Sequence, residues 1–152
     1  MLLKLFENIF GSFVERRNNS FDLNKIEQYR GKIPVISIGN ISVGGSGKTP
    51  FTIELAKLLL ESGIHPAVIG RGYKRKSTGG IIVSDGKQIL SSAEEAGDEM
   101  LLIAQKLNVP VVLHQKKYEA ARIVEENFNV DVILLDDGFQ HRKLHRNIDI
   151  VI

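Results

Sequence analysis

The sequence contains no cysteine, so it can form no disulfide framework, no thiolate metal site and no cysteine nucleophile. The absence of disulfides fits a reducing compartment but does not establish one. An excess of charge of one sign is also missing, because 20 Lys and Arg stand against 18 Asp and Glu, a formal net charge of +2. A dedicated nucleic-acid-binding protein normally carries a dense positive field, so we expect no nucleic-acid partner.

A long uninterrupted hydrophobic run is absent from the N-terminus. Lys4 and Glu7 interrupt residues 1–17, which makes a transmembrane helix a poor interpretation. Placed about 100° apart, the apolar residues of this segment cover one half of a helix and the polar residues the other. We expect an amphipathic helix over 1–17 that either packs on the domain or lies at a membrane interface, where Arg16 and Arg17 would meet anionic headgroups.

The composition that remains is that of a folded globular protein. Hydrophobic residues make up 43% and charged residues 25% of the 152 residues, which excludes wholesale disorder, collagen and coiled coil. Apolar runs alternate with helical spacing along the chain, a pattern typical of a mostly parallel sheet with helices on both faces. We expect Gly63 to cap the first helix. The predicted strands are 33–38, 67–69, 81–83, 109–113 and 130–135, and the predicted helices are 49–62, 93–107 and 116–127.

The last apolar run, residues 147–152, is typical of a buried strand. Neither a turn nor a polar tail follows it. We therefore expect a domain over 18–152 that is truncated at its C-terminus.

A glycine-rich segment, GNISVGGSGKTP at 39–50, lies between the first predicted strand and the first predicted helix. Glycines allow successive backbone N–H groups to wrap phosphates closely, and the helix N-terminus adds positive potential. Lys48 would reach the β- and γ-phosphates and Thr49 would bind Mg²⁺. The generic phosphate-binding pattern requires glycine at position 42, where this chain has Ser42. The sequence nevertheless predicts a P-loop nucleotide-binding domain.

Asp136 and Asp137 directly follow the most apolar predicted strand. An acidic residue at this place holds Mg²⁺ in nucleotide-binding proteins, and the carboxyl ends of parallel strands are where open α/β sheets bind ligands. A surface turn that contains two aspartates is the alternative. We expect Thr49, Asp136 and Asp137 to form the metal site.

Four motifs in order, VGGSGKTP, RGYKR, AGDE and LLDDGFQHRKL, resemble those of the tetraacyldisaccharide 4'-kinase family. The resemblance extends from about residue 34 to 152. It implies a P-loop fold and use of ATP and Mg²⁺ to phosphorylate the 4'-hydroxyl of a tetraacylated glucosamine disaccharide 1-phosphate, which forms lipid IVA in lipid A biosynthesis. It also implies a peripheral or monotopic position on the cytoplasmic side of the bacterial inner membrane.

The resemblance also assigns roles to residues. It makes Asp98 and Lys48 catalytic, with Asp98 taking or orienting the proton of the sugar hydroxyl; helix capping is the alternative for Asp98. Gln140 and His141 would line the nucleotide site, and Arg71 and Tyr73 would contact ATP or the lipid headgroup unless they belong to a solvated charged face. In this family Ser or Thr is usual at position 42. ATP binding is thus expected of Ser42, Val43, Gly44, Gly45, Ser46, Gly47, Lys48 and Thr49.

The chain departs from the family in length. Family members are about twice as long, and the histidine proposed to assist the catalytic carboxylate lies in their second half. Two alternatives stay open: a non-catalytic ATP-binding fragment, and a P-loop ATPase that acts as a nucleotide switch or metallochaperone. Val43, where such ATPases have lysine, disfavours the second.

Overall fold

The computed structural model describes residues 28–40, 47–71, 79–138 and 141–152. The predicted amphipathic helix at 1–17 lies outside these ranges. The strands are β1 Val35–Gly39, β2 Pro66–Gly70, β3 Ile81–Asp85, β4 Pro110–Leu113, β5 Val132–Asp136 and β6 Ile148–Val151. The helices are α1 Lys48–Glu61, α2 Ala93–Ala96, α3 Asp98–Lys106 and α4 Lys117–Asn127. Within the described ranges, no helix combines the length and apolar character needed to cross a membrane.

The strands form one six-stranded sheet in the order β3-β4-β2-β5-β1-β6. All neighbouring pairs are parallel except β3 with β4, which is antiparallel and lies at one edge. The strand β5 is central and pairs with both β2 and β1. The predicted α/β architecture with a mostly parallel sheet is therefore confirmed.

Hydrophobic side chains fill a core on each face of the sheet. Leu134 of β5 points into one core together with Ile53 of α1 and Ile103 of α3. Ile133, its neighbour in the strand, points into the other core with Val124 of α4. Successive strand residues point to opposite faces, so a central strand covered on both faces needs an unbroken apolar run.

The first helix ends in a glycine turn. The amide of Ile64 donates to the carbonyl of Leu59 at 2.9 Å and that of Gly63 to the carbonyl of Leu60 at 3.0 Å, which is the Schellman arrangement. Gly63 has a φ of +76°, a conformation that favours glycine. The capping position itself is Ser62, so the helix ends one residue earlier than the prediction that Gly63 is the cap.

The predicted single helix at 93–107 is wrong, because it is broken at Gly97. This glycine has φ 78° and ψ 155°, which ends α2 at Ala96 and starts α3 at Asp98. A short α2 is held at its start by Ser92, whose amide donates to Glu95 Oε2 at 3.0 Å. The break places Asp98 in the first turn of a new helix instead of the middle of a long one.

The last apolar run forms a strand, as predicted, but it is not a buried one. The strand β6 lies at the edge of the sheet beside β1. Ile148 is 53% exposed and Val151 46% exposed in the described structure. An apolar run shows that a strand is favoured, but it does not show whether both faces of that strand are covered.

Tyr29, which precedes β1, is hydrogen-bonded to the segment between β5 and β6. The backbone of Tyr29 accepts from His145 N at 2.9 Å and donates to Lys143 O at 2.8 Å. Its hydroxyl donates to Glu125 Oε2 of α4 at 2.8 Å, and the Arg122 guanidinium lies 5.0 Å from its ring centre. Burial, followed by the neighbouring Glu125 carboxylate, raises the pKa of Tyr29.

Candidate active site

Three neighbouring parallel strands end at the same edge of the sheet. Their last residues are Gly39 of β1, Gly70 of β2 and Asp136 of β5. Pairing of Ile38 with Asp136, and of Ile69 with Leu135, aligns these ends. The carboxyl edge of such a sheet is the usual ligand site of open α/β folds.

The N-terminus of α1 opens onto this edge. Its cap, Gly47, has a φ of 75°, and a Cβ at this residue would meet nothing within 4 Å. The hydrogen-bond ladder of the helix begins with Phe51, whose amide donates to Gly47 O at 3.0 Å. A 14-residue helix capped by glycine is suited to a phosphate, because its first amides and its dipole both favour negative charge.

Lys48 connects the helix to the end of β5. Its Nζ donates to Asn40 Oδ1 at 3.1 Å and lies 3.6 Å from Asp137 Oδ1. The Lys48 side chain is 18% exposed and that of Asp137 is 71% exposed, so the ion pair lies at the mouth of the site. The structure thus brings together two residues that the sequence analysis assigned to one site, and it adds Asn40.

The two aspartates occupy different environments. Asp136 is 5% exposed, and its Oδ1 lies 3.0 Å from the Thr52 hydroxyl. That hydroxyl is also 3.0 Å from the Lys48 carbonyl oxygen, and its one hydrogen can be donated to only one of these acceptors at a time. Asp137 has a φ of 55°, a left-handed conformation that aspartate tolerates better than most residues. Asp137 is therefore the accessible carboxylate and Asp136 the buried one.

Charged groups from two further helices surround Asp136. Burial raises the pKa of Asp136, and the Thr52 hydrogen bond and the Lys117 charge oppose that rise. Glu99 and Asp137 add negative charge that raises it further. Lys117, the first residue of α4, is only 2% exposed. The sequence analysis missed Lys117 and Glu99, although Lys117 follows the end of a predicted strand by only a few residues.

Asp98 and Glu99 are exposed in the first turn of α3. They line a cavity of about 300 Å³ together with Gly97, Met100 and part of α2. Gly97, not Asp98, occupies the capping position of the helix. Asp98 is therefore an exposed residue on the wall of this cavity and not the capping residue of the helix.

Comparison with known proteins places this geometry in a family. A family model described as tetraacyldisaccharide-1-P 4'-kinase matches residues 1–152. The chain belongs to the tetraacyldisaccharide-1-P 4'-kinase family. It is 50% identical over 127 residues to a tetraacyldisaccharide 4'-kinase from Desulfotalea psychrophila, covering 82% of this chain and 36% of that protein. It is 43% identical over 148 residues to the one from Aquifex aeolicus, covering 97% of this chain and 46% of that protein.

A solved structure of the tetraacyldisaccharide-1-P 4'-kinase family has the same fold. The crystal structure of LpxK from Aquifex aeolicus in complex with ATP matches with a TM-score of 0.92 and 42% identity. The match covers 99% of this chain and 49% of that chain. The chain thus spans less than half the length of these kinases.

Several residues that the family resemblance singled out lie outside the described ranges: Ser42, Val43, Gly44, Gly45, Ser46, Tyr73 and Gln140. Arg71 follows β2 directly and is exposed. His141 is half-buried, and its amide donates to Gly138 O at 3.0 Å. Both therefore lie close in sequence to the carboxyl ends of β2 and β5.

The turn after β5 is tightly packed. A Cβ at Gly138 would lie 2.5 Å from Ser37 Oγ of β1, and the Gly138 carbonyl accepts from Arg146 at 3.2 Å. His145 contacts Arg30 at 3.2 Å.

In the described part of the chain, no group of three or more His, Cys, Asp or Glu could hold a metal. Oxygen donors from Thr49 and the two aspartates nevertheless fit Mg²⁺, which commonly uses one or two carboxylates and keeps several waters.

Proposed function

We propose that the protein acts as an ATP-dependent tetraacyldisaccharide 4'-kinase. It would transfer the γ-phosphate of ATP to the 4'-hydroxyl of a tetraacylated glucosamine disaccharide 1-phosphate. The observation that carries the proposal is the meeting of the α1 N-terminus, Lys48 and Asp137 at one edge of the sheet, with the Lys48 Nζ 3.6 Å from Asp137 Oδ1. The family match and the ATP-bound crystal structure of a relative support the same proposed function.

The nucleotide would lie across the start of α1. Residues 42–49 would surround the phosphates, and Lys48 would exchange its contacts with Asn40 and Asp137 for phosphate oxygens. Thr49, Asp137 and Asp136 would hold Mg²⁺, which neutralises phosphate charge. Thr52 fixes the buried Asp136 through its 3.0 Å hydrogen bond.

Asp98 would act on the acceptor, the 4'-hydroxyl of the sugar. In the transfer, the 4'-oxygen forms a bond to the γ-phosphorus while the bond from that phosphorus to the β–γ bridging oxygen breaks. The proton of the 4'-hydroxyl would be taken or oriented by the Asp98 carboxylate, which is exposed in the cavity at the start of α3. Arg71, Tyr73, Gln140 and His141 would contribute to the rim of the site.

A lipid substrate brings the enzyme to a membrane. We propose a peripheral or monotopic association with the cytoplasmic side of the bacterial inner membrane, with the segment 1–17 lying at the interface. Vesicle flotation tests this placement: Phe6→Asp together with Phe10→Asp should release the protein from anionic vesicles. Undiminished flotation of that double variant would reject an interfacial role for the segment.

Product analysis tests the kinase proposal. Mass spectrometry should show a second phosphate on the tetraacyl disaccharide 1-phosphate after incubation with MgATP. Asp98→Asn should strongly reduce this product while leaving MgATP binding intact, because the proposed role of Asp98 is on the acceptor hydroxyl. The matched control is Glu126→Gln, an exposed carboxylate on α4. ATP binding without any product from the native sequence would instead favour a non-catalytic nucleotide-binding protein.

A further inference from the structure

The side chain of Met100 lies against Gly70, the last residue of β2. A Cβ built on Gly70 would lie 2.5 Å from Met100 Cε and would collide with Met100 Sδ. The backbone of Gly70 is buried, and its φ is not in the left-handed region. A larger residue at this position is therefore opposed by the close approach of Met100, and not by an unusual backbone conformation.

Met100 is a buried side chain that also borders the cavity at the start of α3. It is 3% exposed and belongs to the core that also contains Ile103 and Ala104 of the same helix. A methyl group at Gly70 would meet the outer end of the Met100 side chain, so Met100 must either turn into the cavity that Asp98 also lines or push its own helix. A methyl group at Gly70 would thus act on the first turn of α3.

That turn carries the acidic groups of the site. Asp98 and Glu99 immediately precede Met100 in α3. Ile69 is paired with Leu135, so Gly70 and Asp136 are the next residues along the two paired strands. Met100 lies against the last residue of β2, and β2 is paired with β5, so the first turn of α3 lies beside these strand ends. Contact between Met100 and Gly70 consequently sets how far Asp98 and Glu99 stand from the strand ends.

We propose that Gly70 and Met100 are a positioning pair that places the first turn of α3 against the carboxyl ends of β2 and β5. The contact between them sets the distance of Asp98 from the phosphate site. This inference rests on the proposed function for the role of Asp98, but the packing it describes can be tested without the reaction. Neither residue belongs to the helix that carries Lys48, so a change in the pair should affect phosphate transfer more than nucleotide binding.

Steady-state kinetics test the pair. Gly70→Ala should lower kcat about 10- to 100-fold, the effect of misplacing a reacting group by a fraction of an ångström to an ångström, with a much smaller change in the KM for ATP. Gly79→Ala is the matched control, because a Cβ there meets nothing within 4 Å. Adding Met100→Ala to Gly70→Ala removes the collision and should recover part of kcat. A double variant no better than Gly70→Ala, or an equal loss of ATP affinity, would overturn the proposal.

A second readout is independent of activity. The sequence contains two methionines, Met1 and Met100, so ¹³C-methyl labelling gives an assignable Met100 signal. Gly70→Ala should shift this signal and speed amide exchange in α3 but not in α4. An unmoved Met100 signal with unchanged exchange would refute the pair even if kcat fell. A native protein that transfers no phosphate would instead refute the proposed function and leave this packing result standing.

Discussion

Replacing Thr52 by valine removes the hydroxyl that supports the buried carboxylate of Asp136 while keeping the shape of the side chain. Thr52 is fully buried, and its Oγ1 lies 3.0 Å from Asp136 Oδ1. Loss of a hydrogen bond to a charged buried group costs about 1.5–3 kcal/mol. Because the hydroxyl is shared with the Lys48 carbonyl, we expect about 2 kcal/mol, or a Tm lower by about 4–8 °C for a domain of this size.

The loss should depend on pH in a defined direction. Burial raises the pKa of Asp136 above its ordinary 3.8, and the Thr52 hydrogen bond opposes that rise. A raised carboxyl pKa means that the folded state holds the proton more tightly, so stability falls as the pH climbs from 3.8 through the folded pKa. Thr52→Val raises that pKa further. The destabilisation should therefore be largest at neutral pH and smaller in acid.

Urea unfolding followed by circular dichroism, without Mg²⁺ or nucleotide, measures both effects. Thr52→Ser is the control, because it keeps the hydroxyl and loses only a methyl group. A Thr52→Val protein as stable as Thr52→Ser, or a destabilisation that grows toward acid pH, would refute the assigned hydrogen bond.

Three further perturbations test other contacts. Gly138→Ala drives a methyl group against buried side chains of β1 and β5 and should cost about 1–3 kcal/mol in thermal unfolding; an unchanged Tm would contradict this packing. Tyr29→Phe loses the 2.8 Å bond to Glu125 and should cost about 0.5–1.5 kcal/mol in urea, whereas full native stability would show that the bond contributes nothing. Hydrogen bonds from the His65 amide, and then its ring, lower the pKa of Asp131, so the stability this carboxylate supplies is present above 3.8 and lost as pH falls through the folded pKa. Asp131→Asn should reduce this loss of folding stability at acid pH. An unchanged loss would show that other groups cause it.

The parts of the site that could be predicted depend on chain order and strand ends. A glycine-rich turn between a buried strand and a helix predicts where Lys48 lies, and an apolar strand that ends in acid predicts Asp137. Both follow because parallel strands present their carboxyl ends at one edge. The sequence thus assigned Lys48 and Asp137 to one site, and the structure places their charged groups 3.6 Å apart.

Other features depend on packing that a single sequence does not display. A glycine within an apolar helical pattern is often tolerated, so the pattern over 93–107 alone does not show that Gly97 breaks the helix, although helix capping was the alternative for Asp98. Lysine is usually a surface residue, so nothing in the sequence marked Lys117 as buried. Gly70 and Met100 are thirty positions apart in the sequence, and their close approach becomes visible only when α3 is packed on the sheet.

Transfer of radiolabel from [γ-³²P]ATP to the tetraacyl disaccharide 1-phosphate tests the central claim most directly. The native sequence should move the label into the lipid, and Lys48→Ala should abolish the transfer. Lys57→Ala, on the exposed side of the same helix, should leave it unchanged. Label released as inorganic phosphate at the same rate with or without the lipid, or transfer that survives Lys48→Ala, would contradict the account.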